Sequence, residues 1–188
     1  VLLVGASLGG ITSLTVAGEH PEMVAGLVLV DVVVKIAPQG RERIRAFMTD
    51  HPNGFGSLEE VADAIAAYNP NRPRPRSLDG AAQERPPRRG RTLALALGPG
   101  LHVDPRRAAA AGPRRAAGDS GGAERIVAPT LIVRGMRSDI VTDAGLEDMR
   151  RRVPAAKVVE VGAAGHMVAG DDNDVFAGAL EQFLRTLD

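Results

Sequence analysis

Two apolar runs joined by a glycine-rich turn and one amphipathic stretch constrain this chain most. Val1-Leu2-Leu3-Val4 runs into Gly5-Ala6-Ser7-Leu8-Gly9-Gly10. Ile11, Leu14, Val16 and Ala17 then fall on a helix-compatible face that Gly18-Glu19-His20-Pro21 stops. Gly26-Leu27-Val28-Leu29-Val30-Asp31 follows as a continuous apolar run, the pattern of a parallel strand buried on both faces. Strand, helix, strand with short links implies a right-handed parallel crossover. The C-terminal third repeats the pattern, with strands over 129–133 and 157–161 and helices over 143–152 and 174–187. Such alternation predicts an α/β fold with a mostly parallel sheet.

The middle of the chain breaks this rhythm. Residues 39–49 and 57–69 read as helices, the second opened by the capping box Ser57-Leu58-Glu59-Glu60. Asn69-Pro70-Asn71-Arg72-Pro73-Arg74-Pro75-Arg76 cannot lie inside a helix or sheet. From 81 to 122 the chain is mostly Ala, Arg, Gly and Pro without a sustained period, a composition that predicts poor order. The expected organisation is therefore a core from 1–33 and 123–188, a helical insertion over 34–80, and a poorly ordered segment over 81–122.

Composition excludes several classes of function. The 188 residues contain no cysteine, so disulfides, thiolate metal sites and cysteine nucleophiles are absent. Twenty-three basic residues balance twenty-three acidic ones, which leaves no overall bias toward nucleic acid or anionic membrane. The arginines of 81–122 lack interleaved aromatics for base stacking. No apolar run reaches the roughly 20 residues of a membrane span. The start has neither the basic flank nor the cleavage site of a signal peptide. A soluble, cytoplasmic chain with a small-molecule substrate is the expectation, without nucleic-acid or membrane partner.

The chemistry centres on the first turn. A serine between small residues, at the junction of a strand and a helix, is a nucleophile elbow: the turn projects the Ser7 hydroxyl and leaves the Leu8 amide facing a developing oxyanion. A dinucleotide-binding turn competes, because Asp31 ends the next strand where a ribose ligand would sit. That reading needs glycine where Ser7 stands. A short-chain dehydrogenase would need Tyr-x-x-x-Lys, and Tyr68 has Arg72 at that spacing.

An acid and a histidine must follow in that order. Ile132-Val133-Arg134-Gly135-Met136-Arg137-Ser138-Asp139 is a strand and a loop carrying a carboxylate, and Val159-Glu160-Val161-Gly162-Ala163-Ala164-Gly165-His166 is a strand and a loop carrying an imidazole. The expected catalytic set is Ser7 as nucleophile, His166 as general base and Asp139 as its orienting acid, with the Leu8 amide as oxyanion donor. Asp31 is the competing acid, read otherwise as a strand-end cap. His20 and His51 read as surface turn residues beside Pro21 and Pro52, and His102 receives no role.

With these residues in place the chain resembles the α/β-hydrolase superfamily, in particular its bacterial serine esterase and non-haem haloperoxidase-like branch. The stretches that carry the resemblance are V-G-A-S-L-G-G-I, H-P-E-M-V-A-G-L-V-L-V-D, P-T-L-I-V-R-G-M-R-S-D-I-V and G-A-A-G-H-M-V-A-G-D-D-N-D-V-F, with H-P-N-G-F-G-S-L-E-E-V-A-D-A-I in the insertion. The resemblance implies a three-layer sandwich with a helical cap and ester cleavage through an acyl-serine intermediate, without cofactor or metal. Serine at position 7 separates the chain from the epoxide-hydrolase and dehalogenase branches, which use aspartate there. Relatives have further strands before the elbow, and a loop there supplies a second oxyanion amide. The expectation is thus an N-terminally truncated core, with a catalytically inactive fragment or degenerate paralogue as the alternative. Relatives also often carry a Trp-rich stretch within 81–122. One permitted set of codons for residues 90–102, read one base later, encodes D-G-R-W-R-W-H-W-D-P-A-F. This predicts two compensating frameshifts, one near Gly80 and one before Ile126.

Overall fold

A computed structural model describes residues 1–52, 54–70, 74 and 122–187. The expectations for 81–121, His102 and the frame-shifted reading among them, lie outside the described residues. The chain divides into two compact units, Val1–Glu42 with Arg115–Asp188, and Arg43–Arg114.

The first unit is built on a four-stranded sheet in the order β1 (Leu2–Ala6), β2 (Gly26–Val30), β3 (Thr130–Gly135) and β4 (Lys157–Val161). All three pairings are parallel, with Ala6 opposite Val30, Val30 opposite Val133 and Gly135 opposite Val161. The central strands β2 and β3 are buried at every position, as continuous apolar runs require. Side chains alternate between the two faces. One face carries Val28, Val30, Leu131, Val133 and Val161, which pack with Val168 and Phe183. These last two come from α5 (Val168–Asp171) and α6 (Asn173–Leu184). On the other face lies α1 (Ser7–Glu19), whose backbone at Gly9 and Gly10 lies where a side chain on Gly5 would point. Helices on both faces of a parallel sheet make the three layers of an α/β domain.

Local chemistry sets the helix ends. Ahead of α4 (Asp143–Arg152), Thr142 accepts the Gly145 N–H at 3.2 Å, and three arginines occupy the last turn, where the helix dipole favours cations. Arg134, buried in β3, donates to the Val141 carbonyl at 3.1 Å and pairs with Asp143 and Glu160. That arginine ties the loop after β3 back onto its own strand. Gly18, expected to stop α1, instead lies inside it and packs on Gly122: a Cβ there would sit 2.3 Å from the Gly122 carbonyl oxygen.

The described part of the second unit is helical. It holds most of α2 (Pro38–Thr49), which begins in the first unit, and all of α3 (Leu58–Tyr68). Ser57 caps α3 by accepting the Glu60 N–H at 3.1 Å, and Glu60 reaches back to the Gly56 N–H at 2.7 Å. The rings of Phe47 and Tyr68 meet at 4.3 Å, with the Arg43 guanidinium 4.9 Å from the Tyr68 centroid. His51 is half-buried with its ring 4.2 Å from that of Phe55, so it packs more than a surface turn residue would.

Candidate active site

Three turns leave the carboxyl ends of parallel strands at the same edge of the sheet. Ser7 and Asp31 each directly follow one of the register pair Ala6 and Val30, on strands that lie side by side. Their φ angles are 49° and 51°, and among the described residues no other non-glycine has a positive φ. A left-handed conformation costs about 1 kcal/mol or more outside glycine. Two such residues at adjacent strand ends mark a place where side-chain direction has outweighed backbone comfort.

The glycines around Ser7 explain how the elbow closes. A Cβ on Gly5 would lie 2.5 Å from the Gly9 carbonyl oxygen, and one on Gly10 would lie 2.7 Å from the Val32 side chain. Gly9, two residues after the serine, has open space around it among the described residues. Ser7 and Leu8 are exposed, and α1 begins without a side-chain cap or an acidic residue in its first turn. The N–H groups of that turn therefore keep their capacity for an anion.

His166 stands on the loop after β4, and its Nδ1 lies 2.8 Å from Asp31 Oδ2. The imidazole is 8% exposed and the carboxylate 0%. Two further donors reach Asp31: the Gly135 N–H to Oδ1 at 3.1 Å and the Ser138 hydroxyl to Oδ2 at 2.5 Å. A buried carboxylate requires such partners. Ionised, it only accepts, so a neutral imidazole facing it carries its proton on Nδ1 and its lone pair on Nε2. The loop bearing His166 approaches because position 135 is glycine: a Cβ there would be 2.1 Å from the Gly165 carbonyl oxygen.

Sequence order suggests Asp139 as the partner of His166, whereas in the structure Nδ1 faces Asp31. The loop after β3 is turned so that Ser138, not the next residue, meets Asp31. Asp139 is half-buried, with its carbonyl oxygen 2.5 Å from where a Cβ on Gly40 would sit. Ser138 and Gly135 were missed as contributors, since a loop serine and a strand-end glycine carry no pattern of their own. His20 is exposed and lies 3.7 Å from Glu22. Among the described residues no group of three or more His, Cys, Asp or Glu is arranged to hold a metal ion. None of the helices among those residues is long and apolar enough to cross a membrane.

Known proteins share the fold of this chain. The chain is 30% identical to a 3-hydroxybutyrate-oligomer hydrolase of Cupriavidus necator, over 86% of this chain and 57% of that protein. It is 28% identical to a 2-(acetamidomethylene)succinate hydrolase of Mesorhizobium japonicum, over 97% of this chain and 63% of that one. It thus spans less than two thirds of the length of these relatives. Among solved structures, an E-2-(acetamidomethylene)succinate hydrolase superposes with a TM-score of 0.68 at 26% identity, covering 98% of this chain and 66% of that one. An esterase from Mycobacterium tuberculosis superposes with a TM-score of 0.63 at 25% identity, covering 98% and 60%. The sequence profile of the alpha/beta hydrolase fold matches residues 1–172. With the parallel sheet, the serine elbow and the histidine-bearing loop all inside that match, the chain belongs to the α/β-hydrolase family.

Proposed function

We propose that this protein is a serine hydrolase of carboxylic esters, with Ser7 as nucleophile, His166 as general base and Asp31, in place of Asp139, as the acid. The observation that carries the reading is the 2.8 Å contact of His166 Nδ1 with buried Asp31, at the sheet edge where Ser7 is held at a φ of 49°. Ser7 Oγ attacks the ester carbonyl carbon as His166 Nε2 takes its proton. Charge collects on the carbonyl oxygen, toward which the Leu8 N–H donates from the first turn of α1. Collapse breaks the bond to the alkoxide, which leaves with the proton from Nε2, and an acyl-Ser7 remains. Water repeats the sequence, giving its proton to Nε2 and releasing the carboxylic acid and free Ser7. Asp31 keeps the imidazole in the Nδ1–H tautomer and stabilises the imidazolium throughout.

The ester substrate draws support from relatives named as an oligomer hydrolase of 3-hydroxybutyrate and as an esterase. Small to medium, fairly apolar acyl groups, the helical insertion as a cap, the esterase and haloperoxidase-like branch and a cytoplasmic setting complete the proposal. A fluorophosphonate probe tests it: the probe should label Ser7, Ser7→Ala should abolish labelling, and p-nitrophenyl ester hydrolysis should fall in parallel. Labelling elsewhere, or hydrolysis indifferent to Ser7→Ala, overturns the serine mechanism. A folded chain with neither labelling nor turnover favours the inactive alternative.

A further inference from the structure

We propose that Ser138 is a positioning residue whose hydroxyl proton fixes the rotation of the Asp31 carboxylate against His166; the proposal rests on the catalytic reading above and deepens it. A serine hydroxyl has one proton and two lone pairs. The Ser138 oxygen accepts from the Ile140 N–H at 3.1 Å and the Val141 N–H at 3.3 Å, which occupies both acceptor sites. What remains is the proton, and the acceptor facing it is Asp31 Oδ2 at 2.5 Å. That same oxygen meets His166 Nδ1. The other carboxylate oxygen is held by the Gly135 N–H.

Rotation of the carboxylate about its Cβ–Cγ bond would break all three contacts together, so the imidazole meets an acceptor of fixed direction. The two amides on its lone pairs leave the hydroxyl no use for its proton except as donor to Asp31. Without it, Oδ2 keeps only the imidazole, and only the Gly135 amide resists turning. The opposing idea is that Ser138 merely closes the turn through Ile140 and Val141.

Three substitutions in the 188-residue chain separate the two. Ser138→Ala should lower kcat on the order of tenfold with KM unchanged, less than the roughly 10²-fold of a catalytic group displaced by a full ångström. Ser138→Thr keeps donor and acceptor and should restore the rate. Ser138→Asp keeps an acceptor for the turn amides but offers Asp31 a like charge, so its kcat should fall below that of Ser138→Ala. If the serine only closes the turn, Ser138→Asp outperforms Ser138→Ala, and the proposal is overturned. A second readout needs neither turnover nor the Asp variant. The low-field proton NMR resonance of His166 Nδ1–H, which Asp31→Asn should remove, should move in Ser138→Ala and return in Ser138→Thr. A resonance unmoved by Ser138→Ala, or absent from the unsubstituted protein, refutes the role of Ser138. Failure of the serine mechanism reads separately, as lost Ser7 labelling beside an intact Ser138 effect on that resonance.

Discussion

Replacing Gly135 by alanine adds one methyl group where the structure has no room for it. The new Cβ would lie 2.1 Å from the Gly165 carbonyl oxygen, 2.6 Å from that of Ala164 and 2.9 Å from the Gly165 carbonyl carbon. All three are backbone atoms, so no side chain can rotate away. Reaching ordinary van der Waals separation takes more than about 1 Å of movement. If the loop yields, His166 moves with its neighbour, and the 2.8 Å bond to Asp31 stretches toward about 3.8 Å, beyond hydrogen-bond range. If the strand end yields, the 3.1 Å bond from the Gly135 N–H to Asp31 is lost instead. Either way the carboxylate loses a donor. Overpacking of this kind costs roughly 1–3 kcal/mol, which for a chain of this size lowers Tm by roughly 2–12 °C. Misplacing the base by about 1 Å should cost on the order of 10²-fold in kcat. Thermal unfolding followed by circular dichroism gives the first quantity and p-nitrophenyl ester kinetics the second. A Gly135→Ala protein with unchanged Tm and unchanged rate would refute the close packing of the His166 loop on β3.

Asp31→Asn should present its amide N–H₂ to Nδ1, select the wrong imidazole tautomer and cost on the order of 10⁴ in kcat, whereas Asp139→Asn keeps most of the rate. The reverse outcome in steady-state kinetics would return the acid to Asp139. At the elbow, Gly9→Ala should be neutral or raise stability by up to about 1 kcal/mol, while Gly5→Ala and Gly10→Ala should each lower it, compared by urea unfolding. The Arg152 side chain, 2.8 Å away, holds the Asp148 carboxyl below its ordinary pKa by hydrogen bond, against partial desolvation, with help from the charges of Arg152, Arg151 and Lys35. A depressed carboxyl stabilises the fold above its unfolded pKa and loses that contribution as pH falls through the folded one. Asp148→Asn should therefore cost at most about 1 kcal/mol at pH 7, and the difference should shrink as pH falls through and below the ordinary carboxyl range, read as Tm against pH.

The regular elements were readable because each carries its own period. The helix Asp143–Arg152 and the strand Lys157–Val161 occupy the bounds that apolar spacing and charge placement give them. The short α5 lay hidden, since four residues have no period to read. The turns that carry Ser7 and His166 were legible for another reason: small residues crowd them. The contact partner of the His166 imidazole was not. Asp31 and Asp139 both follow apolar strands and both stand at the same sheet edge, so order and spacing admit either. The choice depends on which strand end lies beside Ser7, a matter of the Ala6 to Val30 register. It depends equally on how the loop after β3 turns, which the hydroxyl of Ser138 governs through two amides no sequence pattern displays. The need for glycine at position 10 is equally illegible locally, because the crowding there comes from Val32, on the far side of the crossover.

The contacts that hold Asp31 span 104, 107 and 135 residues of chain. Ser7 and Asp31 belong to one local strand-helix-strand unit, whereas every group that holds the carboxylate arrives after a long closure. During folding, the elbow can form early from short-range contacts, but the Asp31–His166 pair can meet only when β3 and β4 have joined the sheet. The entropy of that closure rises slowly with length, by only about 0.6 kcal/mol for each doubling of the loop. The connection between β2 and β3 is thus a tolerant place for the chain to vary. Lengthening or recomposing it should retard the meeting of Asp31 and His166 far more than it alters the finished geometry, which Val30 and Val133 set by direct register.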